Sequence, residues 1–316
     1  MPSRALVTGA AGFIGSHLTE RLLDRGVTVL GVDRLSDYYD PAIKAANVAP
    51  LADRPGFTFV EADLAEVASP ALLEDVEVVY HLAGQPGVRP SWGRSFEIYA
   101  NDNVMATQAL LEAAKEAPID RFVYASSSSV YGNAERFPTA ETDRPQPLSP
   151  YGVTKLAAEH LCHLYAKSYG VPACSLRYFS VYGPGQRPDM GFHRFIRAAT
   201  SGQPVRIFGD GLQSRDFTYV CDIVTATMAA GELGVAGEVY NVAGGSRVTV
   251  LDVLGMLERI LDLPIEVLHE EAARGDARDT SGDTTKAARG LGYSPSVSLE
   301  EGLAAQADAA LERTGA

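Results

Sequence analysis

Near the start of the chain, Gly9-Ala10-Ala11-Gly12-Phe13-Ile14-Gly15 sets glycine at every third position between the apolar run of residues 5–8 and a helical pattern at Ile14, Leu18 and Leu22. Glycines in such a turn let the backbone pass close to an anion and let the helix pack tightly, and free amides at the helix start favour pyrophosphate. A second apolar run, residues 27–32, ends at Asp33 and completes a strand–helix–strand opening. Glycine spacing alone is weak evidence; its placement between strand and helix predicts a dinucleotide site contacted by Gly9, Gly12, Phe13, Ile14 and Gly15.

Asp33 stands where a carboxylate accepts hydrogen bonds from both adenine-ribose hydroxyls and repels a ribose phosphate, which favours NAD over NADP. Arg34 is a counter-signal, since a guanidinium binds phosphate. Asp63 and Leu64 follow the third strand and are expected at the adenine, with a helix-capping aspartate as the alternative. Leu82 and Ala83 follow the fourth strand and are expected along the cofactor, whereas His81 reads as a packed residue.

Strand-like runs continue at residues 57–61, 76–82, 121–125 and 171–178, with helices expected at 103–116 and from Tyr151 to Gly170. Nearly continuous apolar strands alternating with helices predict an α/β fold: a Rossmann-like parallel sheet flanked by helices, with a smaller C-terminal substrate-binding lobe. Residues 1–179 are expected to form mainly the NAD-binding domain. Residues 180–316 are expected to form mainly the substrate lobe, with about 215–243 returning to the core.

The 316-residue chain carries a net charge of −13, which opposes nonspecific attraction to nucleic acid and anionic membranes but permits a local basic pocket. Arg89, Arg177, Arg187 and Arg215 sit in apolar or glycine-rich contexts and are the candidates. No apolar run is long enough for a membrane span and the amino terminus does not read as a signal peptide, so a cytoplasmic protein is expected. Cys162, Cys174 and Cys221 form no metal-like cluster and read as buried free thiols; no metal site is expected.

Tyr151-Gly152-Val153-Thr154-Lys155 puts a phenol and an ammonium four residues apart, facing the same way on a helix, where the lysine charge can stabilise a tyrosinate. Ser126 to Ser129 follow the apolar run 122–125, so a hydroxyl at a strand end can share the substrate oxygen with that tyrosine. Serine, tyrosine and lysine then form a proton-handling set suited to alcohol oxidation.

The glycine motif, the serine-rich strand end and Y-x-x-x-K, in that order, resemble the extended short-chain dehydrogenase/reductase family, in particular its nucleotide-sugar epimerases, over essentially the whole chain. The resemblance implies Ser127 as catalytic hydroxyl, Tyr151 as base, Lys155 as ribose and electrostatic contact, and Asn103 as a structural or substrate-side contact. It also implies a UDP-sugar substrate, bound NAD and a homodimer.

Residues 176–185 are similar to the family's substrate-side segment, with Ser180 where many relatives carry asparagine and glucuronate epimerases commonly carry threonine. Ser214-Arg215-Asp216-Phe217 resembles the segment whose arginine binds pyrophosphate, an ion pair with Asp216 being the alternative. Arg274-Gly275-Asp276 resembles a second phosphate contact but departs from the common spacing.

Gly87-Val88-Arg89 and residues 185–190 look like sequences of UDP-glucuronate 4-epimerases, which implies that Arg89 and Arg187 contact substrate or hold its loops. Ser127 and Ser128 can position a carboxylate. Family decarboxylases usually place glutamate at Ser129, and 4,6-dehydratases an aspartate–glutamate pair at Ser128-Ser129. The expected reaction is therefore interconversion of UDP-glucuronate and UDP-galacturonate through a 4-keto sugar. The alternatives are UDP-glucose/UDP-galactose epimerization, UDP-glucuronate decarboxylation and a non-catalytic NAD sensor.

Overall fold

A computed structural model describes residues 1–271 and 275–314. The early apolar runs become β1 (Arg4–Thr8), β2 (Thr28–Asp33), β3 (Phe57–Glu61), β4 (Val78–His81), β5 (Arg121–Ser127) and β6 (Ala173–Tyr178). Later strands are β7 (Val181–Tyr182), β8 (Val205–Phe208), β9 (Ser214–Asp216), β10 (Thr218–Tyr219), β11 (Val239–Val242), β12 (Arg247–Thr249) and β13 (Val267–Glu270). The helices of the first half are α1 (Phe13–Asp24), α2 (Pro41–Ala52), α3 (Leu64–Val67), α4 (Phe96–Tyr99), α5 (Ala106–Lys115) and α6 (Pro150–Tyr169). Those of the second half are α7 (Gly191–Thr200), α8 (Val220–Leu233), α9 (Val250–Leu261), α10 (Thr285–Leu291) and α11 (Leu299–Thr314).

Seven strands form one parallel sheet in the order β11-β6-β5-β4-β1-β2-β3. Its strands are apolar because both faces are covered. Leu18, Leu22, Ile223 and Val224 of α1 and α8 pack on one face. Leu110, Leu111, Ala158 and Cys162 of α5 and α6 pack on the other. The strand order reverses beside β1, which pairs with both β2 and β4; ligands of open α/β sheets bind at the carboxyl ends of the strands at such a point.

A further core joins α7, α9 and α11 through Phe192, Ile196, Leu254, Leu257 and Leu303. Outside the main sheet, β8 pairs with β13 and β9 with β12, while β11 returns to the main sheet beside β6.

The helix that carries Tyr151 is bounded as its sequence dictates. Ser149 Oγ accepts the Gly152 amide at 3.1 Å, Pro150 opens the first turn, and Gly170 closes the last with φ 73°. The helix expected from residue 103 differs: α5 begins at Ala106, after a π turn over Ala100–Met105. Within that turn, Asn103 accepts the Gln85 amide at 2.7 Å and donates to Thr154 Oγ1 at 3.0 Å. Cys162 and Cys174 are buried, but Cys221 is exposed because its position on α8 faces outward. Among the described residues, no helix is long and apolar enough to cross a membrane.

Candidate active site

The glycine turn forms the floor of a groove at the end of β1. The Gly9 amide donates to Val32 O at 2.8 Å with φ 73°. A Cβ on Gly9 would lie 2.8 Å from the Ala83 nitrogen, and one on Gly15 would lie 2.0 Å from the Gly9 oxygen. Both glycines are therefore required by close backbone approach. No side chain caps α1 at Gly12, which leaves its first-turn amides for an anion.

Gly9, Gly12, Phe13, Ile14, Gly15, Asp33, Asp63, Leu64, Leu82, Ala83, Tyr151 and Lys155 all line this groove. Asp33 is held at the end of β2 by the amides of Ala11 (3.2 Å) and Leu35 (2.9 Å). Asp63 caps α3 through the Ala65 amide at 3.0 Å and also accepts from Arg34 at 2.8 Å. The backbone clearance, the amides and the carboxylates fit a dinucleotide.

Ser36, Tyr38, Tyr39, Lys44 and Asp102 also face the groove and were not anticipated. The adjacent Tyr38-Tyr39, just beyond the β2 carboxylate, is the local signal that could have found part of this wall.

Tyr151 lies on the first turn of α6 and Lys155 one turn later. Burial pushes the Tyr151 phenol up, while a hydrogen bond with Ser127 and the charge of Arg187 pull it down. Burial lowers the Lys155 ammonium to about 8, and its Nζ sits 4.8 Å over the Tyr124 ring. Arg187, distant in sequence, thus adds a cationic pull on the phenol that the helix spacing of Tyr151 and Lys155 does not reveal.

The four serines divide their work. Ser126 Oγ donates to Glu159 at 2.7 Å, Ser127 meets Tyr151, and Ser128 and Ser129 line a second cavity beyond.

Arg89, Ser128, Ser180 and Arg215 line that second cavity together, with Arg194 and Arg206 as unanticipated cations. Arg89 donates to Asp276 at 2.7 Å and lies 3.9 Å over the Phe208 ring. Arg215 does not pair with Asp216: its Nη1 donates to the carbonyls of Ser214 (2.9 Å) and Arg278 (3.0 Å). Asp216 instead accepts the amides of Gly244, Gly245 and Gly282.

Arg187 faces the dinucleotide groove, where it makes two 3.0 Å hydrogen bonds to Asp189. Arg177 is buried in an ion pair with Glu159 rather than in either cavity. Arg274 lies outside the described residues. Among the described residues, no group of three His, Cys, Asp or Glu side chains could hold a metal ion.

Residues 5–243 match the model of the NAD dependent epimerase/dehydratase family. The chain is 46% identical to an uncharacterized UDP-glucose epimerase of Bacillus subtilis, over 95% of both chains. It is 38% identical to a UDP-glucuronate 4-epimerase of Thermodesulfobacterium geofontis, over 94% of this chain and 93% of that one. The crystal structure of UDP-glucuronic acid 4-epimerase from Bacillus cereus, in complex with UDP-glucuronic acid and NAD, superposes with a TM-score of 0.96 at 45% identity and covers 98% of this chain and 99% of that one. With the family model spanning residues 5–243, the chain belongs to the NAD dependent epimerase/dehydratase family.

Proposed function

We propose that the protein is a UDP-glucuronate 4-epimerase, interconverting UDP-glucuronate and UDP-galacturonate with NAD as its bound cofactor. The observation that carries this reading is the charge of the cavity beyond Ser127. Four arginines, Arg89, Arg194, Arg206 and Arg215, line it against two acids among the described residues, Asp189 and Asp276. Arginines already engage both acids. In a chain of net charge −13, such a local cationic wall suits a diphosphate joined to a carboxylated sugar.

Tyr151, as phenolate, takes the proton of the sugar 4-hydroxyl while Ser127 hydrogen-bonds the same oxygen. NAD, held by the groove residues Gly9, Gly12, Asp33 and Lys155, would supply reversible hydride chemistry at C4, with the sugar turned between its uptake and its return. Tyr151 then gives the proton back, and the product leaves inverted at C4. Lys155 offers donors to the cofactor ribose beside the phenol. Ser128, Ser129 and Ser180 present hydroxyls, and positions 128 and 129 carry no acid that could shuttle a proton at C5. That choice matters because a 4-keto uronate is a β-keto acid prone to lose carbon dioxide.

In this reading, residues 1–179 serve mainly the cofactor and 180–316 mainly the nucleotide sugar. A homodimer would bury apolar side chains now exposed around α4 and α6, including Ile98, Met105, Val153 and Leu164. Buried free thiols at Cys162 and Cys174 suit the reducing cytoplasm.

Incubation of purified protein with UDP-glucuronate and, separately, UDP-glucose tests the assignment. UDP-galacturonate without carbon dioxide is the expected product. Exclusive turnover of UDP-glucose would shift the reading to a hexose epimerase, which the name of the 46% identical relative favours. UDP-xylose with carbon dioxide would make the protein a decarboxylase.

A further inference from the structure

Arg34 directly follows the aspartate at the end of β2, in the neighbourhood from which an arginine accommodates the 2′-phosphate of NADP in folds of this kind. Its guanidinium is already occupied. Nη1 donates to Asp63 Oδ2 at 2.8 Å and Nη2 to Asp102 Oδ2 at 2.5 Å. The two acids arrive from separate segments, Asp63 from the cap of α3 and Asp102 from the π turn before α5.

The Asp102 side chain is 14% exposed, against 35% for Arg34, so the acid holds the cation from the inner side. Burial alone would lower the Arg34 pKa; its two carboxylate partners raise it instead. Lys44, another cation of this wall, donates to Ser36 at 2.7 Å.

We infer that Asp102, with Asp63, disarms Arg34, making Asp102 a cofactor-specificity residue that excludes NADP without contacting the ribose. NADP then meets two obstacles: the Asp33 carboxylate repels its extra phosphate, and the nearest guanidinium is committed elsewhere. Loss of either obstacle alone leaves the other standing, so the two must act non-additively.

Dissociation constants for NAD and NADP, measured by calorimetry on protein freed of bound nucleotide, test this independently of turnover and of which sugar is used. Asp33→Ser is expected to improve the NADP-to-NAD affinity ratio modestly and Asp102→Asn hardly at all. Their combination is expected to gain about tenfold beyond the product of the two, the size of one charge-assisted hydrogen bond to phosphate. Adding Arg34→Ala should abolish that extra gain.

If Asp102→Asn adds nothing to Asp33→Ser, the inference fails. It also fails if the gain survives Arg34→Ala, because lost negative charge would then be the cause. A uniform weakening of both nucleotides leaves the ratio unchanged and counts against it equally. The Asp102→Ala series supplies the same comparison where asparagine keeps a hydrogen bond to Arg34.

Discussion

Arg177 and Glu159 meet in a buried two-point ion pair one helical turn beyond Lys155, with Nη2–Oε1 at 2.5 Å and Nε–Oε2 at 3.0 Å. Glu159 also accepts from Ser126, whose β5 position is registered against Arg177 on β6. Arg177 extends the contact to Tyr131, which donates to Asn241 on β11. One acid thus fastens α6, bearing Tyr151 and Lys155, to the strand end bearing Ser127.

Glu159→Ala would leave a buried guanidinium without its counterion. Breaking one side of such a pair costs about 3–5 kcal/mol, whereas replacing both partners by apolar residues of similar volume is often neutral. Urea unfolding should therefore show a large loss for Glu159→Ala and substantial recovery in Glu159→Leu/Arg177→Met. Equal stability of the single variant and the parent protein would refute the tie.

Tyr151→Phe keeps the ring and removes the base, so turnover should fall by about 10²–10⁴ while nucleotide-sugar binding persists. Ser127→Ala tests the environment of the phenol. Its hydrogen bond lowers the Tyr151 pKa against the upward push of burial. Because the phenolate is the working form, removing that bond should move the rising limb of the pH–kcat profile to higher pH. A shift to lower pH would contradict the assigned direction.

Lys155 links activity to stability. Burial lowers its pKa to about 8 from 10.5, so between these values the unfolded chain holds a proton that the folded chain has released. Stability contributed through this group rises with pH across that window and is lowest below pH 8. In nucleotide-free protein, Lys155→Met should stabilise the fold at pH 7 by on the order of 2–3 kcal/mol, with the gain fading by about pH 10.5, while abolishing turnover. Unfolding at both pH values measures the difference.

The cofactor groove was readable because its determinants are local. Gly9 to Gly15 must turn between a strand and a helix, and Tyr151 and Lys155 share a helix face whatever surrounds them. The sheet was readable because strands covered on both faces stay apolar throughout. What escaped depends on contacts across long separations. Asp102 reaches Arg34, 68 residues away, only through a π turn, and a one-residue widening of a helical ring leaves no mark on hydrophobic periodicity. Arginines flanked by glycine or apolar residues look alike in sequence. Folding sends Arg177 into the core, Arg187 to the cofactor groove, and Arg89 and Arg215 to the second cavity.

That sorting makes Arg187 and Arg215 separable by experiment. Arg215 faces the second cavity, where burial lowers its pKa and its Nη1 is pinned by two backbone carbonyls; the guanidinium is oriented before any anion arrives. Arg215→Ala should weaken UDP binding about tenfold or more, the loss expected for a charge-assisted hydrogen bond, and leave NAD affinity nearly unchanged. Arg187 lines the other groove, held by Asp189, which also accepts from Tyr38 at 3.2 Å, and its charge lowers the Tyr151 pKa. Arg187→Gln should therefore move the rising limb of the pH–kcat profile upward and weaken NAD, with little effect on free UDP. Calorimetric titrations with UDP and NAD beside pH profiles would distinguish the pair, and interchangeable effects of the two variants would show that the cavities do not divide the work in this way.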